Sequence, residues 1–461
     1  MQLKTKLFGR TYVFKSVKEV LAKASEEKSG DILAGIAAES NEERIAAKRV
    51  LSELTLEDLR KNPVIPYEED EVTRVIDDGL SEGVYNKIKN MTVMELREYI
   101  LSHKTTGEDI KRISPGLTAE MAAAVAKIMS NMDLVYAASK IKIITTARTT
   151  IGLPGTLSFR IQPNHPNDSV EGIMASIMEG LSYGSGDAVI GINPNEDTVE
   201  NTIRLMNVTH DFIEEWAIPT QNCVLSHITT QMKAVEAGAK VDVFFQSIAG
   251  TESCNREFGI TAKLLDEAFE MIKKKGCAGG PNLMYFETGQ GSELSLGAHN
   301  GADMQTLEAR TYGFARRYKP FMVNNVSGFI GPETLYDGRQ VIRASLEDHF
   351  MGKLLGLPMG MAPCYTNHMK ADQNDQENAI MLLAMAGANY YMGVPGSDDC
   401  MLSYQDTSYH DDATLRELLG LRPAPEFERW LEEMGIMKDG KLTEIAGDPS
   451  IFFKIKPLGR R

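Results

Sequence analysis

The chain has 461 residues, of which 43% are hydrophobic and 25% are charged, and its formal net charge is −15 at pH 7. This composition is that of a globular protein and argues against a disordered chain. The acidic balance disfavours nucleic-acid and membrane partners, because phosphate backbones and anionic lipids are repelled, but it permits a small cationic substrate. The length exceeds one hydrophobic core of about 250–300 residues, so two domains are expected.

Five cysteines are scattered along the chain without any CxxC pair: Cys223, Cys254, Cys277, Cys364 and Cys400. This spacing indicates neither a disulfide framework nor a zinc or iron–sulfur site. The first residues, MQLKTKLFGRTYVFKS, contain no apolar run of signal-peptide length. No run of about eighteen uninterrupted apolar residues occurs elsewhere. A cytoplasmic protein is therefore predicted.

Residues 1–140 are predicted to form a helical accessory region. Its short helices open with capping boxes, in which a Ser or Thr is followed three residues later by an acidic residue. The boxes are Ser16 with Glu19, Thr55 with Asp58, and Thr92 with Glu95. The region ends in a run from Thr118 to Ile141 that is apolar on most faces, which predicts one buried helix.

Beyond residue 150, short β-rich runs alternate with amphipathic helical runs, which is typical of βα units and a parallel sheet. Eight strands are predicted, at residues 157–162, 187–193, 222–227, 241–247, 282–288, 321–328, 359–366 and 389–394. Eight is the number that closes a TIM (β/α)8 barrel, so we assign residues 141–434 to such a barrel, with its last helix within 412–434. Residues 435–461 are assigned to a C-terminal tail. An open doubly wound sheet is the alternative, but it would usually carry a glycine-rich phosphate turn, and neither GxGxxG nor GxxxxGK[ST] is present.

Polar residues stand at the carboxyl ends of six predicted strands, where a barrel places its active site. They are Arg160 and Gln162, Asn193, His227, Gln246, Glu287, and Asn324 with Asn325. Each alone has a structural interpretation. Arg160 or Glu287 could belong to a structural ion pair, His227 could be a hydrogen-bonded core residue, and the two asparagines are more readily structural. Their convergence on one end of the barrel favours a site.

Three further features have structural interpretations as well. The Gly- and Ser-rich segment 286–301 suits close approach of the backbone to a bulky ligand, or it is a flexible lid. The sequence EDHFMG at 347–352 echoes a cobalt-ligating DxHxxG motif, but it lacks the aspartate and lies within a helix, so we interpret it as structural. Cys364 and Cys400 are interpreted as small core residues.

Several long motifs resemble those of ethanolamine ammonia-lyase large subunits, essentially from end to end. They include FRIQPNHP (159–166), GDAVIGINP (186–194), FQSIAGTE (245–252), FETGQGS (286–292), GFIGPE (328–333), LEDHFMGKLLGLPMG (346–360), CYTNH (364–368) and GSDDCMLSYQDTSYHD (396–411). The resemblance implies a barrel subunit of a lyase that converts ethanolamine to acetaldehyde and ammonia with adenosylcobalamin. It also implies a smaller partner subunit, a larger hetero-oligomer, and a role in ethanolamine catabolism within a bacterial microcompartment.

By the same resemblance, substrate contacts fall on Arg160, Gln162, Asn193 and Glu287, and the catalytic pair is Arg160 with Glu287. Cobalamin contacts fall on Pro194, Gln246, Ser295 and Met401, and no residue of this chain is assigned to a metal. One position departs from the family pattern. Many members carry an aspartate two residues before the cysteine of CYTNH, whereas this chain has Ala362 there, with Asp372 as a conceivable replacement.

Elementary chemistry agrees with these assignments. Ethanolamine is an ammonium ion at neutral pH, and a carboxylate at ~4 Å attracts it by about 4 kcal/mol at an effective dielectric constant near 20, which favours Glu287 as its partner. Arg160 and Asn193 can donate to the hydroxyl oxygen, and the amide oxygens of Gln162 and Asn193 can accept from the ammonium. Arg160 and Glu287 are expected to stabilise the charge that shifts during amino migration.

Two other functions stay open at this point. A barrel lyase or aldolase could act through a Schiff-base lysine, but no lysine lies within the eight predicted strands. A scaffold or shell component of a catabolic compartment would need no cobalamin, so cobalamin binding distinguishes it.

Overall fold

Eight parallel strands form the centre of the computed structural model, which describes residues 2–459. They are β1 (Ser158–Ile161), β2 (Val189–Ile192), β3 (Asn222–Val224), β4 (Phe244–Ser247), β5 (Met284–Thr288), β6 (Met322–Val326), β7 (Met359–Ala362) and β8 (Tyr390–Gly393). Backbone hydrogen bonds join them in the order β3-β2-β1-β8-β7-β6-β5-β4. Each predicted strand is confirmed in shortened form, and so is the TIM-like barrel.

The strands are apolar because helices cover the outside of a parallel barrel and side chains fill its inside. Every residue of β2 and β8 is buried, for example. Polar residues interrupt this pattern mainly near the carboxyl ends of the strands, which is the end where the site is expected.

The barrel is nearly closed, and its seam lies between β3 and β4, the two ends of the hydrogen-bonded order. Side chains cross this seam in two reciprocal pairs. The Asn222 backbone N–H donates to Asp242 Oδ2 at 2.9 Å, and the Asp242 N–H donates to Asn222 Oδ1 at 3.0 Å. The Phe245 N–H donates to Gln231 Oε1 at 3.1 Å, and Gln231 Nε2 donates to the Phe245 carbonyl at 2.7 Å. Side-chain groups therefore take the place of a strand ladder here.

Helices alternate with the strands. The main ones are Val170–Ser182, Val199–Glu215, Ile228–Glu236, Ala262–Lys275, Met304–Ala315, Gly338–Leu354, Gln373–Met385 and Tyr409–Leu419, with shorter or additional helices at Glu252–Glu257, Ser292–Ser295, Pro425–Glu433 and Ile451–Lys454. The segment predicted to hold the last helix contains most of one helix and the whole of another, because Gly420 ends the first with φ +62° and a proline begins the second. Within residues 2–459, no helix is long and apolar enough to cross a membrane.

The accessory region is helical, as predicted. Its helices are Val17–Ala24, Ser29–Leu33, Asn41–Glu53, Leu56–Lys61, Glu71–Asp78, Glu82–Ile88, Val93–Leu101, Gly107–Ile113, Ala119–Lys127 and Asn131–Lys140, preceded by a hairpin of Lys4–Leu7 and Arg10–Val13. The capping boxes of Thr55 and Thr92 are complete. At Ser16 only the side chain caps, because the Glu19 carboxylate accepts from the Lys15 N–H instead.

The single helix predicted from Thr118 to Ile141 is wrong, since the structure has two helices there. Ser130 and Asp133 form a full capping box, which begins a new helix in the middle of the apolar run. All nine residues of the preceding helix, Ala119–Lys127, are buried, as the apolar pattern indicated.

Buried ion pairs attach the accessory region to the barrel helices. Arg310, which is fully buried, donates to Glu120 Oε1 and Asp70 Oδ2, both at 2.7 Å. Its Nε also donates to the carbonyl of Gly250, in the loop after β4, at 2.9 Å. A further buried pair joins Lys28 Nζ to Glu347 Oε2 at 2.8 Å.

Replacing Arg310 by methionine is expected to destabilise the protein by about 3–5 kcal/mol, because Asp70 and Glu120 would stay buried without their partner. Denaturant unfolding of the variant measures this loss. Arg317→Met is the matched control, since Arg317 pairs with Asp266 at the surface, where ion pairs contribute about 0–1 kcal/mol. Equal stability of the two variants would show that the buried pairs do not hold the accessory region in place.

Candidate active site

A cavity of about 450 Å³ opens at the carboxyl ends of the barrel strands. Four predicted site residues line it: Gln162, Asn193, Gln246 and Glu287. The apolar part of the lining is Ile248, Phe258, Val326, Phe329, Ile330 and Leu402. Larger hollows of about 740 Å³ and 800 Å³ lie against the accessory region and against a hairpin of Met437–Lys438 and Lys441–Leu442, and no strand-end polar residue lines either of them.

Arg160 lies beneath this cavity, on β1, and is fully buried. One terminal nitrogen donates to the Tyr285 hydroxyl at 2.5 Å and contacts Met392 Sδ at 3.5 Å. The other donates to the Gly191 carbonyl at 3.0 Å and to Asn193 Oδ1 at 2.8 Å. A Cβ atom at Gly191 would lie 2.8 Å from Arg160 Nε, so β2 needs glycine at this point. These contacts fix the guanidinium in one orientation.

Glu287, on β5, presents its carboxylate to the cavity with about 20% of the side chain exposed. Its Oε1 lies 3.9 Å from Arg160 Nη1 and accepts from Asn324 Nδ2 at 3.1 Å. Burial raises the pKa of this carboxyl, and the positive charge of Arg160 and the Asn324 hydrogen bond oppose that increase. The site therefore holds one cationic and one anionic group side by side at its floor.

Gln162 is held by two residues that sequence reasoning did not single out. Its Nε2 donates to Asp399 Oδ2 at 2.6 Å and to the Tyr404 hydroxyl at 2.7 Å. Asn164 Nδ2 donates to the same Asp399 oxygen at 2.7 Å. Since both hydrogens of the Gln162 amide are engaged, its oxygen is the atom left to accept from a ligand. The only indication in the sequence that these positions matter is the family motifs quoted above, which contain Asn164, Asp399 and Tyr404.

Asn193 connects Arg160 to this network. Its Oδ1 accepts from Arg160, and its backbone N–H donates to Asn164 Oδ1 at 2.8 Å. Arg160 thus occupies one of the two acceptor positions of the Asn193 amide oxygen, and the NH₂ group of Asn193 is open to a ligand. This arrangement favours Asn193 as a donor to a hydroxyl oxygen rather than as an acceptor from an ammonium.

The four residues predicted to contact cobalamin differ in position. Gln246 lines the cavity, and its Oε1 accepts from the Ile228 N–H at 2.9 Å. Pro194 and Met401 are half-buried and Ser295 is exposed. These three do not line the cavity, but each is close in sequence to a residue that does. Pro194 follows Asn193, Met401 precedes Leu402, and Ser295 lies three residues after Ser292. They surround its rim.

The Gly- and Ser-rich segment after β5 is more ordered than a flexible lid would be. It contains the short helix Ser292–Ser295, which begins after Gly291 with φ +107°. Glu293 is buried, and its Oε1 accepts from the Gly250 N–H at 2.6 Å. Burial, together with the nearby Glu308, raises the pKa of Glu293 to about 7. The segment is therefore attached to the loop after β4.

Other strand-end residues have structural contacts. Asn324 points into the barrel toward Glu287, whereas Asn325 points outward and donates to Glu308, Tyr312 and Asp348. His227 caps helix Ile228–Glu236, and its Nε2 lies 2.9 Å from the Phe258 carbonyl. His349 of the EDHFMG segment is buried within helix Gly338–Leu354, as its structural interpretation requires.

Ala362 ends β7 and is buried in an apolar cluster with Val326, Cys364, Met392 and Tyr404. Cys364 is accordingly a core residue, but Cys400 is exposed, so its assignment to the core is wrong. Asp372 is exposed and caps helix Gln373–Met385 by accepting from the backbone N–H groups of residues 374 and 375. It does not line the cavity, so the structure does not bring it to the site as a replacement for the missing aspartate.

Comparison with known proteins agrees with this geometry. A family model described as ethanolamine ammonia lyase large subunit (EutB) matches residues 12–445. The ethanolamine ammonia-lyase large subunit of Salmonella typhimurium is 59% identical over 453 residues, which cover 98% of this chain and 100% of that protein. The Escherichia coli K12 large subunit has the same identity and coverage. The resemblance seen in the motifs is thus confirmed, and the chain belongs to the ethanolamine ammonia-lyase large-subunit family of enzymes.

Proposed function

We propose that this chain is the substrate-binding, catalytic subunit of a lyase that converts ethanolamine to acetaldehyde and ammonia with adenosylcobalamin. The observation that carries the proposal is the pairing of Arg160 with Glu287, 3.9 Å apart, at the floor of the barrel-mouth cavity. A two-carbon substrate with an ammonium at one end and a hydroxyl at the other needs groups of both kinds within a few ångströms. The cavity provides them.

Glu287 is the partner for the ammonium group, and the Gln162 amide oxygen is a second acceptor for it. The Asn193 NH₂ group donates to the hydroxyl oxygen. Arg160 can contribute one N–H as well, because its contact with Met392 Sδ, at 3.5 Å, is its weakest and is the one that a hydroxyl oxygen would replace. Fixing both ends of the substrate orients its carbon atoms for reaction.

Arg160 and Glu287 then stabilise the charges that develop on the substrate during the reaction. As the amino group moves between the two carbons, negative charge that develops on oxygen is stabilised by the guanidinium. Positive charge on nitrogen is stabilised by the carboxylate. Both groups are held in place before the reaction, so little reorganisation is needed when charge shifts. The surrounding apolar side chains exclude water, which strengthens these interactions.

The rim of the cavity fits a corrinoid, whose ring is flat and largely apolar and whose arms end in amides. Phe329 is 41% exposed and stands beside Ile330, Leu402 and the amide of Gln246. A Cβ atom at Gly289 would meet the Val326 carbonyl at 2.7 Å, so the backbone there stays free of a side chain. Pro194, Gln246, Ser295 and Met401 are the residues that would hold the group. When bound, adenosylcobalamin supplies an organic radical by homolysis of its cobalt–carbon bond.

A small subunit completes the site in this proposal. The names of the relatives, which are large subunits, support it. Exposed apolar side chains at the rim and in the loop after β5, such as Phe329 and Leu296, also support it, since such groups are usually covered by a ligand or partner. A hetero-oligomer acting in ethanolamine catabolism, inside a bacterial microcompartment, follows from the family resemblance.

The test is anaerobic acetaldehyde release from ethanolamine by this chain co-expressed with its small partner, with and without adenosylcobalamin. We expect product only when the cofactor is present. Asp372→Asn is the control variant, because Asp372 is an exposed helix cap and should leave turnover unchanged. Cobalamin binding without product would contradict ethanolamine as the substrate, and absence of cobalamin binding would favour the scaffold alternative.

A further inference from the structure

Asp406 is a buried acidic residue that the contacts proposed above do not use. It is fully shielded from solvent. Its Oδ1 accepts from the Thr407 backbone N–H at 2.8 Å. Its Oδ2 has no hydrogen-bond partner in the part of the chain that the structure describes. Buried polar atoms are nearly always paired, so this oxygen is open to pair with a ligand or with water.

The backbone around Asp406 is attached to the carboxyl ends of β7 and β8. Just beyond β7, Tyr365 and Gln405 exchange two backbone hydrogen bonds, at 2.9 and 3.1 Å. Just beyond β8, the Val394 N–H donates to the Thr407 carbonyl at 2.9 Å. The residue between Gln405 and Thr407 is therefore held at the same end of the barrel as Arg160 and Glu287.

Asp406 is not itself part of the cavity lining, but Tyr404, two residues before it, is, and the charge of Arg160 acts on the Asp406 carboxyl. Burial and, after it, the negative charge of Asp406 raise the pKa of the Cys364 thiol and of the Tyr404 phenol, so the carboxyl acts electrostatically on both. Both residues belong to the apolar cluster that contains Ala362. Tyr404 also lines the cavity. Ala362 brings no polar atom of its side chain to this cluster, and Asp406 is the acidic residue whose charge acts most strongly on its members Cys364 and Tyr404.

Burial raises the pKa of Asp406 to about 8, against opposing contributions from Thr407 and Arg160. Without a cation beside it, the carboxyl is thus protonated near pH 7. An ammonium group within hydrogen-bonding distance favours the ionised form and would release that proton to solvent. Binding thus converts one carboxylic acid and one ammonium ion into an ammonium–carboxylate pair and one released proton.

We propose that Asp406 is a second carboxyl group of the substrate site, and that it receives the ammonium group of the substrate together with Glu287. Glu287 reaches the ligand from β5, and Asp406 reaches it from beyond β8, so the two carboxyl groups enclose the ammonium from different sides of the mouth. This inference rests on the proposed function, since it assumes an amine substrate.

Calorimetric titration of ethanolamine into the large–small subunit complex tests the proposal. The complex is loaded with hydroxocobalamin, which lacks the adenosyl group and prevents turnover. Asp406→Asn keeps the shape of the side chain and is expected to weaken binding about 10- to 100-fold, the effect of losing one charged hydrogen bond. Titrations in two buffers of different ionisation enthalpy should also show fewer protons released by the variant than by the parent complex.

Relocating the carboxyl distinguishes a binding role from a structural one. Adding Ala362→Asp to Asp406→Asn returns a carboxyl to the same apolar cluster, and we expect it to recover most of the affinity. With adenosylcobalamin, Asp406→Asn should raise KM more than it lowers kcat. Asp398→Asn is the matched control, because Asp398 lies in the same loop, is exposed and should leave binding and proton release unchanged.

The outcomes separate this inference from the proposed function. A parent complex that neither binds nor converts ethanolamine overturns the proposed function. A parent complex that does both, with an Asp406→Asn variant of equal affinity and equal proton release, overturns only the role of Asp406. Asn has nearly the same shape as the protonated, neutral carboxyl of Asp406, so the variant should fold; Asp406→Ser provides the same test if it does not.

Discussion

Replacing Glu287 by glutamine is expected to lower kcat/KM for ethanolamine by about 100- to 1,000-fold. Glutamine can still accept from Asn324 Nδ2, so the geometry around residue 287 is retained and only the negative charge is lost. An ion pair at ~4 Å contributes about 4 kcal/mol at an effective dielectric constant near 20. The variant would also leave Arg160 buried without the carboxylate 3.9 Å away. Steady-state kinetics of the cofactor-loaded complex measures the loss.

The pH dependence gives a second measure of the same group. Because burial raises the pKa of Glu287 above the usual 4.5, kcat/KM should fall on the acid side at a higher pH than an ordinary glutamate would produce. The decrease occurs as pH falls through the raised pKa, since the protonated carboxyl no longer attracts an ammonium. Glu257→Gln is the control, because Glu257 is exposed beside the cavity-lining Phe258. If Glu287→Gln kept full turnover with an unchanged KM, the assigned role would be wrong.

Replacing Arg160 by lysine is expected to lower kcat/KM by about 1,000-fold or more, although the positive charge is kept. The guanidinium bonds Tyr285, Gly191 and Asn193 through two nitrogens that point in different directions. A single ammonium cannot reach all three acceptors, so Asn193 would lose its fixed orientation. Kinetic assay of the variant complex tests this expectation.

Arg204→Lys is the control for this substitution. Arg204 is exposed on the outer helix that follows β2, where it donates to Asn201 on the same helix and to the carbonyl of Asp168. Its activity should match that of the unmodified complex. If Arg160→Lys were equally active, the charge alone would suffice, and the directional contacts of Arg160 would not matter for the reaction.

The barrel could be predicted from the sequence because each strand is a short apolar run, a signal that depends on neighbouring residues only. The seam between β3 and β4 could not, since closure depends on how strands distant in sequence align. Similarly, Lys28 precedes a short helix and Lys127 ends one, and both resemble surface residues, yet both are buried and form ion pairs with Glu347 and Asp303. Such burial depends on the packing of one region against another.

The residues of the site also divide into those that local sequence patterns indicate and those that only the structure shows. Arg160, Gln162, Asn193 and Glu287 could be predicted because strand ends and family motifs mark them. Asp399 holds Gln162 across a separation of 237 residues, and no local pattern indicates that contact. Asp406 is one of several acidic residues near the end of the barrel, and only the structure shows that it is buried with an unpaired oxygen.

The seam of the barrel has a mechanical consequence. A closed ladder of backbone hydrogen bonds resists a change in the diameter of the barrel. In this barrel the ladder is interrupted between β3 and β4, and hydrogen bonds of the side chains of Asn222, Asp242 and Gln231 join the two sides. Hydrogen bonds made by side chains can lengthen or exchange partners without breaking the backbone hydrogen bonds of a strand. Gln246, on one edge, also reaches across to the Ile228 N–H at 2.9 Å while it lines the cavity. The part of the barrel that lacks a backbone ladder thus adjoins the rim that is proposed to hold the corrinoid.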